Sequence, residues 1–117
     1  MKGHFPIDKF SSLRTPFYYY DTEVLRNTLN CIRAEVARYE NFVVHYAVKA
    51  NANPKVLTII RENGLGADCV SGGEIQAAIK AGFPANKIVF AGVGKADWEN
   101  LWSFNVLPFS CFVDTSF

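Results

Sequence analysis

Apolar residues recur along this chain with two different periods in turn, and that alternation predicts helices and strands in succession. From Asp21 onward, Leu25, Leu29, Ile32 and Val36 return every three or four residues on one helical face, with Arg26, Arg33 and Glu40 off it. Asp21 is placed to cap that helix, which is expected to end near Tyr39. The stretch FVVHYAVK, Phe42 to Lys49, is apolar at nearly every position and rich in valine, as a parallel strand covered on both faces would be. Asn53 can then cap, and Pro54 open, a helix carrying Val56, Leu57 and Ile60 and closed by Gly64. Gly66 to Ser71 reads as a second strand. Ser71-Gly72-Gly73-Glu74 follows as a capping box, in which Glu74 reaches back over the helix start. Ile75, Ala78 and Ile79 are expected to face inward on this helix until Gly82 stops it, and Lys87 to Gly92 gives a third strand. Earlier in the chain, the aromatic run Thr15 to Asp21 after a Thr-Pro step is expected to be extended, as a strand.

The order strand, helix, strand, helix, strand from Phe42, with short connections, predicts an α/β fold built of right-handed parallel units. No internal repeat or low-complexity segment marks a linker.

Composition narrows the functional classes. A chain of 117 residues is about one ordinary domain, and half of its residues are hydrophobic, which is a globular balance. Lysine and arginine number 12 against 11 acids, without a basic stripe, so neither nucleic acid nor an anionic membrane surface is an expected partner. The opening Met1-Lys2-Gly3-His4-Phe5-Pro6 lacks the apolar core of a signal peptide, and no later run has membrane-spanning length without charges; a cytoplasmic location is expected. Cys31, Cys69 and Cys111 are odd in number and far apart, matching neither a disulfide framework nor a metal pair, and read as reduced thiols.

The candidate chemistry centres on Lys49. Alternation along a strand puts Val43, His45, Ala47 and Lys49 on one face, with the lysine at the carboxyl end, where folds of this kind hold their chemistry. Ala47 leaves room beside the lysine stem, and an amine buried there would lose hydration and gain nucleophilicity, as a Schiff-base lysine requires. A lysine at a strand end can equally snorkel into water. His45 has no acid or cysteine at ligand spacing and reads as a satisfied strand histidine, so no metal site is expected. AGVGK, Ala91 to Lys95, is not a phosphate loop, because Val89 and Ala96 stand where that pattern needs glycine and a hydroxyl residue.

HYAVKANANPKVL, followed by GLGADCVSGGEIQAAIKAGFPANKIVFAGVGK, closely resembles the N-terminal half-barrel of the pyridoxal-phosphate decarboxylases with the alanine-racemase-like fold, and most closely the diaminopimelate decarboxylases among them. The resemblance covers Thr15 to Glu99. It implies that Lys49 and Asp68 are catalytic, with Lys49 carrying the cofactor as a Schiff base and Asp68 reaching the lysine, that Ala47 lies near the cofactor ring, and that Glu74, at the start of the next helix, is a further cofactor-binding residue. The Ser-Gly-Gly-Glu wording favours diaminopimelate over the ornithine and arginine relatives, although the capping box alone would account for Glu74. The implied activity is loss of carbon dioxide from meso-diaminopimelate to give L-lysine, in a homodimer whose interface completes the substrate site. The alternatives are an ornithine- or arginine-type decarboxylase, a pyridoxal-phosphate carrier without decarboxylase activity, and a non-catalytic fragment that binds a full-length homologue.

The same resemblance divides the chain. Residues 1–20 are expected to hold a strand of a second, β-rich domain, and 21–99 the first part of a pyridoxal-phosphate-binding (β/α)8 barrel. Residues 100–117 lose helical periodicity, carry Asp114 as their one charge, and are expected to be a non-native tail. A closed barrel of this kind takes about 250 residues, so the isolated chain is expected to be a truncated, inactive part of an enzyme.

Overall fold

The computed structural model describes residues 3–91 and 112–113. The tail expected at 100–117 and the turn at Gly92–Lys95 lie almost entirely outside them. A short helix α1 (Ile7–Phe10) precedes α2 (Thr22–Val36), followed by β1 (His45–Ala47), α3 (Pro54–Glu62), β2 (Gly66–Cys69), α4 (Gly72–Lys80) and β3 (Ile88–Ala91). A two-residue strand β4 (Phe112–Val113), which the sequence pattern does not signal, extends the sheet beyond β3. The sheet runs β1-β2-β3-β4 with every pair parallel.

Local chemistry accounts for the helix ends. The Asp21 carboxylate accepts the amides of Glu23 (3.0 Å) and Val24 (3.1 Å), capping α2 as expected. The last regular turn of α2 closes at Val36. Tighter bonds from the Arg38 amide to Glu35 O and from the Tyr39 amide to Val36 O carry the chain on to Tyr39. Asn53 caps α3 through the Lys55 amide, Pro54 occupies its first position, and Gly64 leaves it at φ +85, a conformation that costs glycine nothing. Gly82 plays the same part after α4 at φ +86.

The strands are shorter than the apolar runs that announce them. Phe42 and Val43 are exposed and outside β1, because β2 begins only at Gly66, whose amide bonds to Val44 O, and offers them no partner. Beyond Ala47 the chain leaves the sheet in a single 3-10 turn, Val48–Ala50, so Lys49 sits on that turn and not on the strand. The aromatic segment Thr15 to Tyr20 forms no strand in this structure. Nothing among the described residues pairs with its backbone. It is held instead by ring contacts of Phe10 with Phe17 and Tyr19, and by the Tyr19 hydroxyl, which donates to His4 O at 2.8 Å.

The core fills one face of the sheet. Register sets Tyr46, Ala67 and Ile88 in one row and Cys69 beside Phe90 in the next. Ala67, Cys69, Ile88 and Phe90 are all within 1 % of complete burial, under Leu57 and Ile60 of α3 and Ile75 and Ala78 of α4. Each large side chain in this layer contributes about 1.5–3 kcal/mol by leaving water. Ile79 is the exception to the expected inward set, because it stands partly exposed on the flank of α4. The opposite face of the sheet, with His45, Ala47, Asp68, Val89 and Ala91, is only half-buried.

On that second face a glycine is required for contact. His45 is in register with Gly66 and lays its imidazole over it, so a Cβ at Gly66 would collide with the ring and stand 2.7 Å from the backbone oxygen of Lys87. The ring could rotate, but the carbonyl is backbone at the entry to β3 and cannot move aside as a side chain can. Gly66→Ala is therefore expected to destabilise the fold by about 1–3 kcal/mol, read as a lower midpoint in urea.

A second expectation concerns acid. The amides of Val24, His4 and Glu23 hold the Asp21 carboxyl below its ordinary 3.8. A group whose folded pKa is depressed gives stability that is present above the unfolded value and lost as pH falls through the folded one. Asp21→Ala should lower the melting temperature at about pH 7, and the difference should shrink as pH falls through the depressed folded value, where the carboxyl becomes protonated in both states. Thermal scans by circular dichroism over a falling pH series check this.

Candidate functional site

The carboxyl ends of β1 and β2 bring the candidate residues to one place. Ala47 is the last residue of β1 and pairs with Asp68 of β2, which pairs in turn with Val89 of β3. A parallel ladder puts residues in register on the same face, so the three side chains form a row on the half-buried side of the sheet. Ala47 is small, which leaves the space beside Asp68 unfilled by its own strand neighbour. Immediately after Ala47 comes the turn that bears Lys49.

That turn is tied at several points. Val48 is completely buried and pins it to the core. The Asn51 amide donates to Val48 O (3.1 Å), and the Tyr46 hydroxyl donates to Asn51 O (3.3 Å). The Asn51 side chain accepts the Asn53 amide (2.9 Å), which joins the turn to the cap of α3. With Val48 directed inward, Lys49 is carried outward and is exposed. Of the two readings left open for this lysine, a buried amine and a side chain that snorkels into water, the structure has the exposed one. A residue on a 3-10 turn next to an inward-facing valine is turned to solvent, where strand alternation would have kept it over the sheet.

Asp68 is in the opposite situation. Its Oδ1 is buried and accepts no hydrogen bond among the described residues. An unpaired buried carboxylate oxygen costs a few kcal/mol, so a site that keeps one is arranged for a donor. Lys49 is not that donor here. Among the described residues the ion pairs join Arg26 to Glu62, Arg38 to Glu35 and Arg61 to Glu62. The resemblance therefore selects two residues that the fold sets on adjacent segments without joining them.

Glu74 is engaged locally. Ser71 caps α4 by accepting the Glu74 amide (3.3 Å), while the Glu74 carboxylate accepts the Val70 amide (2.9 Å). This is the expected capping box with its return bond made to Val70, one residue before the cap. It fixes the path from β2 into α4 two residues after Asp68. Cys69 lies on the other face, fully buried. Desolvation, reinforced by the nearby Glu74 and Asp68 charges, pushes its thiol up to about 12, so it stays protonated and unreactive at neutral pH. No cluster of three or more histidine, cysteine or acidic side chains that could hold a metal occurs among the described residues. No helix among them is long and apolar enough to cross a membrane.

These residues suit an aldehyde-bearing cofactor such as pyridoxal phosphate. Lys49 offers a primary amine on a fixed turn, Asp68 Oδ1 offers a buried acceptor to a cationic nitrogen, and Ala47 leaves room between them.

Known proteins resemble this chain in sequence and in fold. Residues 25–101 match the family model described as the pyridoxal binding domain of pyridoxal-dependent decarboxylases. Over 99 residues the chain is 80% identical to diaminopimelate decarboxylase of Bacteroides thetaiotaomicron, a match that takes in 85% of this chain and 26% of that protein. The fold superposes with a TM-score of 0.74 on a crystal structure of diaminopimelate decarboxylase from Helicobacter pylori complexed with L-lysine, at 36% identity, covering 86% of this chain and 25% of that one. An ornithine decarboxylase from Entamoeba histolytica superposes with a TM-score of 0.63 over 77% of this chain and 28% of its own, but at 18% identity, which shows a common fold alone. The chain thus spans about a quarter of the length of the curated relatives it matches. With the model covering most of the described sheet and helices, this chain belongs to the pyridoxal-dependent decarboxylases, through their pyridoxal-binding domain.

Proposed function

We propose that this chain supplies the amine-bearing part of the cofactor site in a pyridoxal-phosphate-dependent decarboxylase of diaminopimelate, with L-lysine and carbon dioxide as products. The observation that carries the reading is the buried Oδ1 of Asp68, without a hydrogen-bond partner among the described residues, on a strand position in register with Ala47 and one strand away from the turn of Lys49. The 80% identity to a diaminopimelate decarboxylase supports the choice of substrate over the ornithine and arginine classes.

Each residue has a role in this reading. Lys49 is the covalent anchor, its stem long enough to swing from solvent toward the sheet. Asp68 holds a proton or positive charge at the Lys49 nitrogen once that nitrogen is drawn over the sheet, and its partly buried position strengthens the attraction. Ala47 gives clearance for a planar ring. Glu74 acts through the backbone, keeping the β2–α4 connection in place, and its contact with the cofactor is indirect. When bound, pyridoxal phosphate supplies an electron sink for the pair left behind as carbon dioxide departs. The remaining substrate contacts come from protein outside these 117 residues, including a second subunit of a homodimer. The reaction is that of a soluble cytoplasmic enzyme. The N-terminal aromatic segment joins a second, β-rich domain in the complete protein, and pairing there gives Phe17 to Tyr20 the strand partner they lack here.

Two outcomes test this. Borohydride trapping of the purified chain with pyridoxal phosphate, followed by peptide mass mapping, should label Lys49 well above Lys55, Lys80 and Lys87, and the signal should vanish in Lys49→Ala. Label spread evenly over surface lysines would overturn the anchor role. Asp68→Asn should cut labelling of Lys49 about ten-fold, the worth of a charge-assisted hydrogen bond. Because Asp68 Oδ1 is unpaired, the same substitution should leave the melting temperature unchanged or higher.

A further inference from the structure

The turn bearing Lys49 is anchored from behind by a residue that faces away from the cofactor side of the sheet. Tyr46 alternates with His45 and Ala47, so it stands on the helix-covered face, half-buried against the core with its neighbour Leu25. Its hydroxyl reaches past Val48, Lys49 and Ala50 to donate to the carbonyl of Asn51 at 3.3 Å. The bond therefore spans the whole 3-10 turn, from the strand before it to the residue after it. The other ties at the turn are shorter in reach. Asn51 N–H closes on Val48 O within the turn, and the Asn51 side chain takes the Asn53 amide beyond it.

We propose that Tyr46 is a positioning residue, whose hydroxyl bond to Asn51 sets the orientation of the Lys49 turn and so the reach of its amine. The inference rests on the reading of Lys49 as the covalent anchor. A 3-10 turn of three residues is held by few hydrogen bonds and poor geometry, so a single outside tie decides much of its order. Lysine loses considerable side-chain entropy when its nitrogen is fixed, and a backbone already held in place reduces what remains to be ordered. Burial raises the Tyr46 phenol above its ordinary 10, so the hydroxyl remains a donor throughout the physiological range. The phenol also lines a cavity of about 530 Å³ with Tyr20, Asp21, Leu25 and Asn51, and phenylalanine, smaller by the one hydroxyl, keeps the ring's packing there while removing the bond.

The test compares Tyr46→Phe with Tyr20→Phe, whose ring lines the same cavity but forms no hydrogen bond to the turn among the described residues. Two readouts are followed in the full chain: the rate of borohydride-trapped label at Lys49 with pyridoxal phosphate, and hydrogen exchange of the Asn51 amide. Loss of one neutral hydrogen bond should speed Asn51 exchange roughly five-fold and slow Lys49 labelling by a similar factor, with Tyr20→Phe unchanged in both. Selective Lys49 label that persists at full rate in Tyr46→Phe would overturn the positioning role and leave the anchor intact. Scattered label in the unsubstituted chain would overturn the anchor, and this inference with it. Equal acceleration of exchange in both variants would also overturn it, since loosening would then follow from the cavity and not from the bond.

Discussion

Everything at the candidate site depends on the burial of one face of a short parallel sheet. Ala67, Cys69, Ile88 and Phe90 are sealed under α3 and α4, and a slip of one residue in any strand would exchange them with the half-buried set that includes Asp68 and Val89. Because side chains alternate with a period of two, such a slip would bury a carboxylate and expose a phenylalanine. The apolar face thus fixes the register, and the register puts Ala47, Asp68 and Val89 in line. The chemistry on one side of the sheet is positioned by packing on the other.

The same division explains why the two central residues differ in state. Asp68 lies within a strand, so the ladder holds its backbone and its carboxylate has no freedom to seek solvent on both oxygens. Lys49 lies one residue beyond an inward valine, on a turn that leaves the sheet, and its side chain is exposed. In the proposed function such a site is assembled when a ligand draws the exposed lysine stem toward the fixed acceptor. Glycine serves this geometry by close approach: at Gly66 the His45 ring occupies the volume a side chain would need, on the same face and one row from Asp68.

Capping interactions knit these segments together. Asn53 ties α3 to the turn of Lys49 through Asn51, while Ser71 and Glu74 tie α4 to the end of β2 beyond Asp68. Glu74, which the resemblance marks as part of the cofactor site, is occupied in making the loop that carries Asp68's strand onward. A motif residue can be retained for the backbone it shapes, and its side chain then acts at a distance of two residues.

The sequence by itself determined the kinds of element and their order. Asp21, Asn53-Pro54, Ser71-x-x-Glu74, Gly64 and Gly82 act through bonds within a few residues, so their effects are written locally, and all five mark helix ends in the structure. The motif around Lys49 and Asp68 was equally legible, because it consists of neighbouring residues in a fixed order. Tertiary structure decided what local pattern could not. It shortened the valine-rich run to His45–Ala47, since β2 offers Val43 no partner, and it turned Lys49 to solvent once Val48 was drawn into the core. It left Phe17 to Tyr20 without a strand, because a strand exists only where another backbone lies alongside. The Tyr46 to Asn51 bond belongs to the same class, since neither residue's identity discloses it until the turn between them brings the hydroxyl and the carbonyl together.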